Sequence, residues 1–416
     1  MKRSDRLRWW IVGLICIGTI LNYLARNTLG VLAPQLTHIL AMGTKQYSYV
    51  VGAFQLAYTL MQPVCGWIVD RIGLRIGFAL FALAWSVVNM AHALARGWIG
   101  LGVCQGLLGA TGSAAIPSGM KAIAEWFPPK ERSVATGWFN VGTSVGALIA
   151  PPLVITVSLF ASWRVAFIVT GGLGLFWAYA WFRFYNSPQH HPAITADELA
   201  YIEQDRPAPL LHRTRASEIL GSKRFWSIAV PRFLVEPAWQ ALTFWMPLYL
   251  ATERGMNLKQ IALFAWLPFL CADLGGVLGG YLSPFFMKRF GMALIPSRVL
   301  GFSLAAVLMI APGCVGLVAS PYAAIGLLCI GGFAHQIISV LINTLSADVF
   351  AAEAVGTANG FVGQAGWFGG LLFSLLVGQL AGTIGYAPLF GSLSVFDLVA
   401  AAVLIATLGR TPTVLR

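Results

Sequence analysis

The sequence predicts an all-α integral membrane protein with twelve transmembrane helices: six spans, a polar linker and six more. Three observations carry that reading. Of 416 residues, 58% are hydrophobic and only 10% charged, with a mean hydropathy of +0.75, whereas soluble domains carry about 25% charged residues. Apolar runs of bilayer-crossing length, about twenty residues, recur at 9–33, 47–69, 76–95, 98–120, 133–157, 164–184, 225–250, 260–286, 293–316, 321–346, 355–383 and 386–408. One long polar gap, 186–223, with Pro188, Pro192, Pro207 and Pro209, divides them into residues 1–185, a linker, and 224–416.

The first run is followed by no small-residue cleavage site, which predicts a retained anchor rather than a signal peptide. It is interrupted by Asn22-Tyr-Leu-Ala-Arg26-Asn-Thr28. A lone cation in hydrocarbon costs several kcal/mol unless paired. Arg26 therefore either snorkels to the headgroups or faces a polar, protein-lined space, as its neighbours Asn22, Asn27 and Thr28 suggest. In the second run Tyr58 and Gln62 share a helix face. After it come Gly66, Asp70, Arg71, Gly73 and Arg75, a helix end in which the charges form a latch. Thr143 and Ser144 in the fifth run fit helix-packing positions better than site hydroxyls.

In the linker, Thr195 with Glu198 three residues on is a capping box that opens a short surface helix, a tether without a substrate role. In the seventh run Arg232 and Glu236 stand at i,i+4, the spacing of an internal ion pair. Pro237 is expected to break that helix and free backbone groups beside Trp239 and Gln240. After the eighth run, Gly280, Lys288, Arg289 and Gly291 echo the pattern after the second. A repeat of six-helix units is how many secondary transporters are built. His335, Gln336 and Asn343 in the tenth run and Asn359, Gln364 and Trp367 in the eleventh supply further polar faces. Glu236, Asp273 and Asp397 are acids within spans, and Asp348 lies near a span end.

Cations orient the chain. With the N-terminus inside, only Lys45, Arg96, Arg164, Arg254 and Lys259 fall in outer segments, while the other twenty loop cations fall inside. Both termini and the linker are therefore expected in the cytoplasm. The net charge of +12 belongs to these topology-setting residues and not to nucleic-acid binding. Six cysteines lie within apolar runs without CxxC spacing, so neither disulfides nor a metal site is expected. HExxH and GxxxxGK[ST] are absent, and the GxSxG spacing at Gly142-Thr-Ser-Val-Gly146 falls inside the fifth apolar run rather than on a strand-to-helix turn, which argues against an enzyme or an ATP-driven pump and leaves no cofactor or partner protein implied.

The Gly66–Arg75 segment resembles the signature loop between the second and third helices of the major facilitator superfamily. The stretches Asn22–Thr28, Gln46-Tyr-Ser-Tyr49, Glu125–Ser133, Pro231–Trp239 and Gly331-Gly-Phe-Ala-His-Gln336 resemble bacterial hexuronate transporters of its anion:cation symporter branch. The resemblance implies two six-helix bundles, alternating access in the bacterial inner membrane, and uptake of glucuronate or galacturonate with protons. It adds weight to Arg26 as the carboxylate anchor, since a guanidinium fork fits a carboxylate bidentately. Tyr58 matches a substrate-site tyrosine of the branch. With Asn22, Gln62, Trp239, Gln240, His335, Gln336, Asn343, Asn359 and Trp367, these are the candidate substrate-binding residues, with Glu236 or His335 as proton carrier and Asp70, Arg71 and Arg75 as the gate. Two of the branch's acids are missing, at Ala25 and Gly112, and Gln105 stands where it carries an arginine. That leaves an alternative: an exchanger or uniporter of another sugar acid or organic anion, without proton coupling.

Overall fold

The computed structural model describes residues 7–42, 44–204, 215–246, 249–250, 253–256, 260, 263–264 and 266–409. The termini, whose cytoplasmic placement the charges predict, and linker residues 205–214 lie outside the described residues. The helices are α1 (Leu7–Ile39), α2 (Thr44–Ile72), α3 (Leu74–Ala91), α4 (Trp98–Gly112), α5 (Ala115–Trp126), α6 (Arg132–Phe160), α7 (Trp163–Phe184), α8 (Ala196–Glu203), α9 (Ala216–Gly221), α10 (Lys223–Gln240), α11 (Leu267–Phe290), α12 (Leu294–Leu308), α13 (Pro321–Val349), α14 (Val355–Ile384) and α15 (Ala387–Leu408).

Local chemistry sets many of their ends. Ser162, Ser222 and Ser320 accept the N–H groups of Val165, Phe225 and Ala323 and so cap α7, α10 and α13. Gly73, at φ 85°, makes the one-residue turn between α2 and α3, in a region of backbone space that favours glycine. Among the described residues, ten segments, with α4 and α5 forming one of them, are long and apolar enough to cross a membrane. The other two long helices, α2 and α10, carry Gln55, Gln62, Asp70 and Arg71, and Arg224, Arg232, Glu236 and Gln240. Both still expose apolar side chains, Leu56, Leu60 and Val64 on α2 and Trp226 and Val230 on α10.

Two compact units organise these helices. The first comprises Met1–Pro128, Phe139–Thr214 and Ala351–Gly360; the second comprises Pro129–Trp138, Arg215–Phe350 and Phe361–Arg416. In the first, Leu24, Leu32, Leu36, Val50, Leu101, Val154 and Phe167 pack one apolar core. A ladder of Trp85, Trp177, Trp181 and Tyr185 around Phe78 joins α3 to α7. In the second, Phe302, Ile338, Leu341, Leu345 and Phe390 are buried between helices.

Two expectations change. Thr195 does cap α8, but Glu198 does not complete the reciprocal box: its buried carboxylate accepts the Arg8 N–H and guanidinium at 3.2 and 3.4 Å. An ion pair to α1 outcompetes a local bond, and it seats α8 on the start of the chain. Pro237 does not break α10 either. The helix runs on to Gln240 and widens into a π turn at Ala241–Trp245. Proline removes one helical bond, and the carbonyl it frees, that of Phe233, lies directly against Gly369 of α14, so the helix continues.

Candidate functional site

In the first unit the polar stretch of α1 resolves into separate jobs. Asn27 and Thr28 hydrogen-bond back to their own helix, at Tyr23 O (2.7 Å) and Leu24 O (2.9 Å). Asn22 instead donates to Gly112 O on α4 at 3.4 Å. A methyl group at Gly112 would lie 3.2 Å from the Asn22 amide. The missing branch acid at Gly112 therefore corresponds to room that Asn22 occupies.

Arg26 is half-buried, which fits a protein-lined position rather than the headgroups. Its guanidinium lies over three rings: Tyr23 at 5.4 Å, Phe54 at 5.0 Å and Tyr58 at 5.7 Å from the centroids. Ring faces attract a cation through their quadrupole. Phe54, Tyr58 and Gln62 succeed one another by single turns of α2, and Tyr58 and Gln62 are almost wholly buried. Gln62 Oε1 has no hydrogen-bond partner among the described residues. An open amide oxygen in apolar surroundings is costly and is well suited to a ligand hydroxyl. Asn359, at the start of α14, belongs to this unit rather than the second. Thr143 bonds back to Asn140 O, in keeping with a packing role.

The second unit gathers most of the other candidates. Arg232 and Glu236 form the expected i,i+4 pair at 2.7 Å. Trp239 stacks on His335 (5.5 Å, 18°) and receives the edge of Phe269 (5.7 Å, 89°). His335 Nδ1 is buried without a hydrogen-bond partner among the described residues. Gln240 is buried and its side chain lies against Gly370 of α14, while Arg232 lies against Gly366. Gln336 and Asn343 are buried on α13; Gln364 and Trp367 are half-buried on α14. Asp397 is wholly enclosed in α15, and neither of its oxygens has a hydrogen-bond partner among the described residues.

The helix-end charges pair differently from the sequence expectation. Asp70 bonds Lys121 Nζ at 2.6 Å and accepts the N–H and hydroxyl of Thr357, each at 2.6 Å. Arg71 instead lies over Trp67, and Arg75 donates to Phe182 O and Asn186 Oδ1 on and after α7. In the second unit Asp348 binds Arg132 Nη1 at 3.2 Å and Arg298 Nε at 2.5 Å. Lys121, Arg132 and Arg298, counted above as loop cations, are thus buried ion-pair partners. Phe54 and Phe269 also escaped the sequence reading, because an aromatic at helical spacing looks like core. The signal was available for Phe54, one turn before Tyr58.

An arginine over aromatic faces on the helix turn next to a buried open amide oxygen, inside a many-helix membrane protein, is an arrangement able to receive a polar anion. The chain belongs to the Major Facilitator Superfamily, whose family model matches residues 15–374; it is a multi-pass membrane transporter. It is 49% identical over 418 residues to the hexuronate transporter of Escherichia coli strain K12, covering 100% of this chain and 97% of that one. It is also 47% identical over 329 residues to the galacturonate transporter of Dickeya chrysanthemi, covering 78% and 95%. The superfamily transporter FucP, crystallised in an outward conformation, shares the fold with a TM-score of 0.74 at 14% identity, over 97% of this chain and 98% of that one.

Proposed function

We propose that the protein takes up hexuronates, glucuronate and galacturonate, across the bacterial inner membrane with both termini in the cytoplasm. The observation that carries this reading is Arg26 on its three aromatic rings. A guanidinium fork pairs with a carboxylate through two parallel N–H groups, and such a sugar bears one carboxylate. Asn22, Tyr58, Gln62 and Asn359 serve sugar hydroxyls in the first unit. Trp239, Gln240, Gln336, Asn343 and Trp367 form the polar wall of the second, with His335 stacked on Trp239. The six-helix halves, residues 1–185 and 224–416 with the linker 186–223 between them, alternate access. Asp70 with Lys121 and Thr357 serves as a gate that yields during the cycle, and Arg71 and Arg75 flank it.

Protons drive uptake through Glu236, which is ion-paired with Arg232 at 2.7 Å. A second reading is favoured by Ala25 and by Gly112, whose space Asn22 takes: uniport or exchange without proton coupling. Both rest on the similarity to transporters of hexuronate and galacturonate. A competition panel in proteoliposomes tests the substrate class. Glucuronate should displace labelled galacturonate, and galactose, which lacks the carboxylate, should not. Equal competition by galactose would remove the carboxylate from recognition.

A further inference from the structure

Outside the polar clusters, one pair of reactive side chains is brought together by the closest helix packing in the second unit. Helices α11 and α13 approach through glycines. Gly275 lies directly against Phe333 O, Gly332 against Pro268 O, and a methyl at Gly279 would sit 2.9 Å from Ile337 Cα. The contacts Gly275–Phe333 and Gly279–Ile337 share one register, an offset of 58 residues, so the helices run parallel. One turn earlier that register sets Cys271 opposite Cys329. The two thiols lie near enough to interact, and both residues are free, half-buried cysteines. Backbones this close bring facing residues into the Cα separation a disulfide needs, about 4.4–6.8 Å.

The pair also flanks the aromatic wall described above. Phe269, two residues before Cys271, presents its edge to Trp239; His335, six residues after Cys329, stacks on the same ring. We propose that Cys271 and Cys329 form a redox-sensitive dithiol, oxidised by a small disulfide to an interhelical bond that pins α11 to α13 beside Trp239. One thiol attacks the oxidant's S–S bond, giving a mixed disulfide and releasing one thiol. The second thiol then attacks the protein-bound sulfur and releases the other. Two electrons and two protons pass from the cysteines to the oxidant, which leaves as two thiols. Cross-linking stiffens the wall and slows transport; this functional half rests on the transport reading, whereas the bond itself does not.

The test uses the full chain in membranes treated with dithiodipyridine, a membrane-permeant disulfide. Remaining thiols are blocked with N-ethylmaleimide under denaturing conditions, and the protein is digested without reductant for mass spectrometry. The expected product is a Cys271–Cys329 linked peptide, with both residues protected from maleimide together; in Cys271→Ser, Cys329 retains a pyridylthio adduct. Maleimide or separate pyridylthio groups on both cysteines of the wild-type chain would overturn the dithiol. Uptake of labelled galacturonate should fall several-fold on oxidation and recover with dithiothreitol, while Cys271→Ser, transporting normally before treatment, stays insensitive. A linked peptide with unchanged uptake would overturn the switch. A chain that never transports galacturonate, linked or not, fails the substrate reading instead.

Discussion

Replacing Arg26 is the sharpest perturbation of the proposed site. Its guanidinium lies over Tyr23, Phe54 and Tyr58 at 5.0–5.7 Å. Two charge-assisted hydrogen bonds to a carboxylate contribute about 1.5–3 kcal/mol each, or roughly 3–6 kcal/mol together. At about 1.4 kcal/mol per factor of ten, Arg26→Ala should lower uptake efficiency by two to four orders of magnitude. Arg26→Lys keeps the charge but loses the fork, and should cost about one to two orders. Phe54→Ala removes one supporting ring, about 1 kcal/mol, and should cost less than tenfold. The assay is the initial rate of labelled galacturonate uptake in proteoliposomes at matched protein content, read as Vmax/KM. If Arg26→Ala transports within a few-fold of wild type, Arg26 is a structural cation and the anchor is wrong.

Three further outcomes follow from other parts of the chain. Glu236→Gln should keep downhill uptake but abolish accumulation driven by a proton gradient; persistence of that accumulation assigns the proton to another group, with His335 next in line. Asp348→Ala removes the carboxylate that Arg298 and Arg132, with side chains 0% and 5% exposed, both bind. Breaking such a pair costs about 3–5 kcal/mol, so the thermal transition in detergent should fall by several degrees, and an unchanged transition contradicts the pairing. Reporters fused after Arg416 or within residues 206–215 should read cytoplasmic, since seventeen loop cations, the buried Lys121, Arg132 and Arg298 set aside, stand on that side against five. An external reading at either point overturns the orientation.

Membrane spans are the legible part of this sequence because hydrocarbon permits so few backbone solutions. The run 164–184 became Trp163–Phe184, and 355–383 became Val355–Ile384. Local pairs were legible too: Arg232 and Glu236 follow from helical spacing alone. Long-range polar pairing was not. A lysine or arginine near a span end looks like a topology-setting loop residue, and nothing near Lys121 in sequence marks Asp70, 51 residues earlier, as its partner. Arg298 and Asp348, 50 residues apart, were hidden in the same way. Pro237 misled because proline in a membrane helix need not end it when a neighbouring glycine lies against the freed carbonyl, and Gly369 is over a hundred residues away. The cage around Arg26 was half visible, through Tyr58; Phe54 read as core because burial and ligand support use the same residue type.

The central claim is that this chain concentrates a hexuronate at the expense of a proton gradient. The direct measurement is the accumulation of labelled galacturonate in proteoliposomes under an inward proton gradient, with and without a protonophore. Proton-coupled uptake gives an internal concentration that rises above the external one and collapses to equality when the protonophore is added. Uptake that stops at equality and ignores the protonophore contradicts coupling, and no saturable uptake at all contradicts the function.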